Sequence, residues 1–267
     1  MAGAGGSGED LVSEQSKPLQ QGSIDDAYPL NEQEGEHFQV GGVERTLPDE
    51  LQLEQLVSYI EATYDPSSEQ YLALLPDRIT HASMLMLGSA VDHTMPGVAF
   101  PGEVAAGECE FGAVFTPSSP TGVWAISLYD APLTARENSW RPEVAGAAEL
   151  SGTTILDLDA PITAERAAAA LAHARERGAA KVALWAFGDA AEALAGNADA
   201  YVLTFPTVLP VAGAVPTLIQ VATRGEGPDN VPASAKRYHS TRRIATPAES
   251  RRRVRDVADF LAGLREL

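Results

Sequence analysis

Cysteine is nearly missing from the 267-residue chain: Cys109 stands alone. That excludes a disulfide within the chain and a thiolate metal cluster. Cys109 also lies between Glu108 and Glu110, whose charge disfavours a reactive thiolate. Aromatic residues make up only 6%, so a core has to come mainly from alanine, valine and leucine. Bases are scarce too, with 19 Lys and Arg against 37 Asp and Glu and a formal charge of −18. Neutralising phosphates needs a basic surface, so no nucleic-acid partner is expected. No apolar run reaches the ~20 residues of a helical span, so no membrane span is expected. Met1–Asp10 has neither a basic start nor an apolar stretch, and a cytoplasmic protein is the expectation. There is no G-x-G-x-x-G and no Walker A sequence, and His81 and His93 stand apart without ligand spacing. No cofactor and no metal are expected.

The acidity is uneven. Residues 1–56 carry 12 acids against Lys17 and Arg45, whereas residues 224–267 carry 10 bases against 6 acids. Residues 1–45 are rich in Gly, Ser, Gln and Glu and read as an acidic flexible arm, unable to bury enough apolar surface to offset ordering. Such an arm suits docking to a protein partner. Residues 46–80 read as a helical lead-in. Leu53, Leu56, Val57, Ile60 and Tyr64 share one helix face, and Asp65–Pro66 reads as the cap of a second helix.

From residue 81 onward the pattern is that of a third region. Apolar runs at Met84–Met95, Glu110–Phe115, Gly122–Tyr129 and Thr153–Leu158 read as strands, with a helix over Pro142–Leu150 before the last. Strand and helix then alternate. Thr163–Arg177 is an alanine-rich helix closed by Gly178, Lys181–Phe187 a strand, Asp189–Ala195 a short helix, and Ala200–Phe205 and Thr217–Thr223 strands. Arg237–Ile244 reads as the last strand. Thr246, Pro247 and Glu249 form a capping-box start for the final helix, whose apolar stripe is Val254, Val257, Ala258, Leu261 and Leu264. This alternation predicts an α/β fold with a mostly parallel central sheet of about eight strands and helices on both faces. Sites in such sheets lie at the carboxyl ends of the strands.

The element order, the strand end Ile155–Pro161 and the strand–turn–helix Val182–Ala190 resemble the α/β-hydrolase family, in particular carboxylesterases related to hormone-sensitive lipase. The resemblance covers roughly residues 84–267. It implies a nucleophile elbow, an oxyanion loop after Trp124–Asp130, an acid and a histidine in the last loops, and a cap. Set on those positions, the elbow reads Ala186-Phe187-Gly188-Asp189-Ala190. Its small flanks, Ala186 and Ala190, are kept, but its tip is Gly188, which has no side chain. Asp189 is a nucleophile only in a register that puts Phe187 at a small-residue flank. The other reading makes it a helix cap completed by Glu192. Tyr129 and Asp130 end the third strand without a glycine pair and with Pro132 close behind. The acid falls at Glu226 or Asp229, in a turn-rich stretch. The histidine loop, Arg242–Thr246, holds arginines, and His239 lies inside the expected strand. Between Phe205 and Thr217 only a short proline-rich connection stands where a cap would be.

The resemblance therefore implies a fold whose triad is degenerate. Its vestigial positions are Gly188, Asp189, Asp229 and His239, and Tyr129, Asp130 and Gly188 border a residual ligand pocket. Binding or protein interaction is the expected role, with a protein partner, a second copy of the chain, or a small ester or acid as the partner classes. The alternative is a carboxylic-ester hydrolase with an atypical nucleophile: Ser127, Ser151, Ser240 or Asp189.

Overall fold

The computed structural model describes residues 48–68, 70–87, 103–194, 197–209, 215–225 and 227–266. The expected arm at 1–45 lies outside them, as do Glu226 and His93. The described chain opens with two helices, α1 (Asp49–Thr63) and α2 (Tyr71–Leu87). Leu53, Leu56 and Ile60 of α1 are buried against Tyr71 and Leu75 of α2, with Ile244 beside them. This is the face that the apolar spacing predicted. The start of α2 differs. Asp65 accepts from the backbone N–H and hydroxyl of Ser67, closing a turn, and the helix begins only at Tyr71. It then runs through Pro76 into the stretch read as a first strand, so Met84–Leu87 is helical. Residues 88–95 lie outside the described residues.

The sheet has eight strands in the order β1-β2-β4-β3-β5-β6-β7-β8. They are β1 (Ala105–Cys109), β2 (Gly112–Thr116), β3 (Val123–Leu128), β4 (Thr154–Leu158), β5 (Lys181–Phe187), β6 (Ala200–Thr204), β7 (Thr217–Ala222) and β8 (Lys236–Tyr238). β2 is antiparallel to both its neighbours, and every pairing from β4 to β8 is parallel. β4 is buried along its whole length and β5 at all but its ends, as strands covered on both faces must be. β1 escaped sequence reading because it is a mostly exposed edge strand with no apolar pattern to betray it.

Two helical layers cover the sheet. On one face lie α4 (Arg141–Ser151) and α6 (Pro247–Gly263). α4 is reached from β3 through a single turn, α3 (Leu133–Ala135), and a π-helical turn at Arg136–Trp140. Val144, Ala147, Val254, Val257 and Leu261 pack there against Ala125, Ile155 and Trp185. On the other face α5 (Ala164–Glu176) buries Ala167, Ala170, Leu171 and Ala174 against Ile126, Leu156 and Leu184. That i, i+3, i+4, i+7 spacing forms one stripe, and its small side chains bring the helix close to the sheet. Thr163 caps α5 by accepting from the Arg166 N–H, and Gly178 at φ +86° ends it. Thr246 caps α6 as expected, but Glu249 does not complete the box; its carboxylate takes Arg252 and the His239 N–H instead. The eight-stranded, mostly parallel sheet with helices on both faces is the α/β architecture that the alternation of strands and helices predicted. No described helix is long and apolar enough to cross a membrane.

Candidate functional site

β5 ends in a sharp turn. Gly188 takes φ +62°, a conformation that favours glycine, and leads into a 3-10 turn, Gly188–Ala193. Ala186 and Ala190 flank it, both buried, so the tight elbow is present with its small neighbours. A β-carbon built on Gly188 would stand 2.1 Å from Nη2 of Arg242 and 2.9 Å from its Cζ. The guanidinium lies across the space that a side chain at the tip would need.

Arg242 comes from the loop after β8. The strand was expected to run to Ile244 but stops at Tyr238. Ser240 and Ala245 then form a bridge, and the Thr241 N–H donates to the Ile244 carbonyl at 2.8 Å. The Thr241 hydroxyl accepts from the Ile244 N–H at 2.8 Å and the Arg243 N–H at 3.2 Å. A self-bonded loop of this kind fixes the direction of Arg242. Its Nη2 donates to Oδ1 of Asp189 at 2.9 Å, and this bond holds the Asp189 carboxyl below the usual carboxylate range. The capping role for Asp189 is thereby corrected. The 3-10 turn has no side-chain cap, and the carboxylate is engaged by an arginine 53 positions away, beyond the reach of a local reading.

Above the elbow lies a cavity of about 320 Å³, walled by the residues that follow β3, β5 and β6 and by the Arg242 loop. Tyr129, Trp140, Phe187 and Phe205 form its aromatic side. Tyr129 and Phe187 stand 4.8 Å apart between ring centroids, Trp140 and Phe187 5.2 Å, and Phe187 and Phe205 5.9 Å, all tilted edge-to-face. Phe205 holds φ +48°, where a bulky residue is rarely found. Helix α2 supplies the opposite wall through Leu72, Leu75 and Ile79. That wall was not read from the sequence, since it depends on how the lead-in packs. Of the expected ligand-contacting positions, Tyr129 lines the cavity, Gly188 lies beneath Arg242, and Asp130 is exposed outside the wall.

Several charges around the cavity are paired. Arg253 donates to Glu143 at 2.6 Å, both largely buried, and sits over the Phe205 ring at 5.2 Å. Burial pushes the Glu143 carboxyl up, against the pull of Arg253. Burial likewise raises Tyr129, opposed by Arg243, Arg242 and Arg253 and aided only by Glu143.

The remaining triad positions do not converge. Asp229 is exposed in a turn. His239 is half-buried, with Nδ1 3.4 Å from Glu50 of α1, and no bond joins it to Asp229 among the described residues. Each alternative serine is engaged elsewhere. Ser127 is buried, donating to Asp157 at 2.9 Å and accepting from Trp140 Nε1 at 2.7 Å. Ser151 bonds back to the Ala147 carbonyl within α4, and Ser240 donates to the Tyr238 carbonyl. Asp157 and Asp159, at the end of β4, are held by protein cations. Arg136 and Arg141 each bridge the two carboxylates, at 2.6 to 3.1 Å.

No family model matches the chain, and no curated protein matches it. Among solved structures it is similar to an arylesterase, with a TM-score of 0.44 and 11% identity over 82% of this chain and 98% of that one. It is also similar to an esterase designated E25, at TM-score 0.33 and 16% identity over 63% and 61% of the two chains. A third likeness is to an α/β serine hydrolase without lid from Xanthomonas campestris, at TM-score 0.34 and 17% identity over 60% and 95%.

Proposed function

We propose that this chain is an α/β-hydrolase-fold protein that carries out no serine hydrolase chemistry and instead binds a small molecule in the cavity above the elbow. The observation that carries this reading is the Arg242 guanidinium lying across Gly188. Acyl transfer needs a nucleophile and a base to take its proton. Gly188 supplies no nucleophile, and an arginine, which keeps its proton and has no acceptor, takes none from a nucleophile. His239 points to Glu50, and the three serines offered as alternative nucleophiles, Ser127, Ser151 and Ser240, are bonded elsewhere. The cavity itself is built as binding sites are: at the strand ends, largely apolar, with a few fixed polar groups. Helix α2 walls the cavity through Leu72, Leu75 and Ile79.

The test pairs two measurements on the full chain. A fluorophosphonate probe and short-chain aryl esters are expected to give neither labelling nor turnover. A thermal-shift screen of esters, acids and lactones is expected to raise the melting temperature for some, because a ligand that prefers the folded state stabilises it. Covalent labelling of a serine, or ester turnover lost in Asp189→Asn, would establish the ester-hydrolase reading in its place.

A further inference from the structure

The cavity is asymmetric in its chemistry. One side is a group of rings, Tyr129, Trp140, Phe187 and Phe205, and the rim beside it is the arginine loop. Carboxylates also reach the wall, but two are already engaged. Glu143 holds Arg253 at 2.6 Å, and Glu137 lies 3.7 Å from Arg141. Asp77 is exposed on α2. Arg243 is exposed on the rim, and among the described residues no carboxylate pairs with it. Arg242, Arg243 and Arg253 all line the same cavity, and of the three only Arg253 is held by a buried carboxylate.

Arg242 is both placed and available. Its place is set by the absence of a β-carbon at Gly188 and by the self-bonded loop that carries it. Its partner Asp189 has a side chain 72% exposed, and exposed ion pairs are worth at most about 1 kcal/mol. A ligand carboxylate held on the half-enclosed rim is less screened than Asp189 and competes with it favourably. A guanidinium offers five N–H donors in a planar fork that matches a carboxylate with two parallel bonds.

Resting on the binding reading above, the geometry points to a monoanionic arylalkyl carboxylate as the ligand, its ring against Tyr129, Phe187 and Trp140 and its carboxylate on Arg242 and Arg243. Asp189 then acts as an internal competitor, occupying Arg242 when the cavity is empty and releasing it when a carboxylate arrives. No bond is made or broken in the ligand.

Calorimetric titration of the full chain tests this with 3-phenylpropionate, its uncharged counterpart 3-phenylpropan-1-ol, and inorganic phosphate, with intrinsic tryptophan fluorescence as a second readout. The acid is expected to bind at least tenfold more tightly than the alcohol or phosphate. Arg242→Gln is expected to weaken the acid at least tenfold and leave the alcohol unchanged. Asp189→Asn is expected to tighten the acid several-fold, a gain that a merely structural role for Asp189 would not produce. Equal binding of acid and alcohol would overturn the anion assignment while leaving the binding reading intact. Phosphate binding as tightly as the acid would overturn the carboxylate assignment. Weaker binding in Asp189→Asn would overturn the competitor role. Labelling by the fluorophosphonate probe would overturn the binding reading itself, whatever the titrations give.

Discussion

Arg242 and Gly188 are fitted to one another: the guanidinium nitrogen lies 2.1 Å from the point where a β-carbon on residue 188 would stand. Replacing Gly188 by serine therefore displaces the guanidinium and forces a side chain into φ +62°. The arginine tip swings away cheaply, so the backbone conformation dominates, at about 1–2 kcal/mol. Gly188→Ser is expected to lose about that much in urea unfolding and to gain no turnover of aryl esters. Appearance of turnover would show that a base reaches the elbow after all.

The Asp189–Arg242 pair has a defined pH signature. Arg242 lowers the Asp189 carboxyl below its ordinary value of 3.8 in the folded chain. Its stabilising contribution is therefore present above that value and is lost as pH falls through the lower, folded value. The pair is exposed, so the amount is at most about 1 kcal/mol. Urea melts of the native chain and Asp189→Asn from pH 7 to pH 2.5 are expected to differ slightly at neutrality and to converge at the acid end. A difference that grows on acidification would contradict the pairing.

The arginine clamp on β4 is a larger effect. Asp157 is fully buried and accepts from Ser127, Arg136 and Arg141. Removing a partner from a buried pair costs about 3–5 kcal/mol. Arg136→Met leaves Arg141 in place, so the loss is expected near the lower figure, read as a fall in the urea midpoint. Removing Arg141 as well is expected to cost more than the two single losses combined, because Asp157 is then left with no cation.

A buried polar ladder joins the strands on the α6 side. Trp185 donates to Thr204, Thr204 to Gln220, and Gln220 in turn to the Tyr238 hydroxyl and the Arg253 carbonyl, at 2.6 to 3.0 Å. Each buried group left unpaired costs about 1–3 kcal/mol. Gln220→Leu is expected to destabilise by about 3 kcal/mol and to loosen Arg253 beside the cavity, measurable as faster hydrogen exchange at the start of α6. Native-like exchange there would separate the ladder from the site.

The parts of this fold that could be read in the sequence are those whose signal is local and apolar. β5 was found to the residue because a run from Lys181 to Phe187 buried on both faces has no other use, and α6 because Thr246 and its stripe mark both start and face. β1 was missed because an exposed edge strand needs no apolar residues. The last strand was drawn too long because Thr241 turns the chain through bonds that leave no pattern in hydrophobicity. At the site, the tight turn at Gly188 with its small flanks was legible. Its cover was not, since Arg242 reaches it across the sheet, and neither was the α2 wall, which exists only once the lead-in has packed.

The fit between Gly188 and Arg242 also constrains how this chain can change. A single substitution that places a hydroxyl at the tip arrives against a guanidinium and without a histidine, so it loses stability and gains no chemistry. Replacing Arg242 alone by histidine brings a base to an elbow with nothing to deprotonate, and gives up the bond to Asp189. Each single step toward an elbow with both a nucleophile and a base is thus unrewarded until the other is taken, and the pair acts as a ratchet on this site.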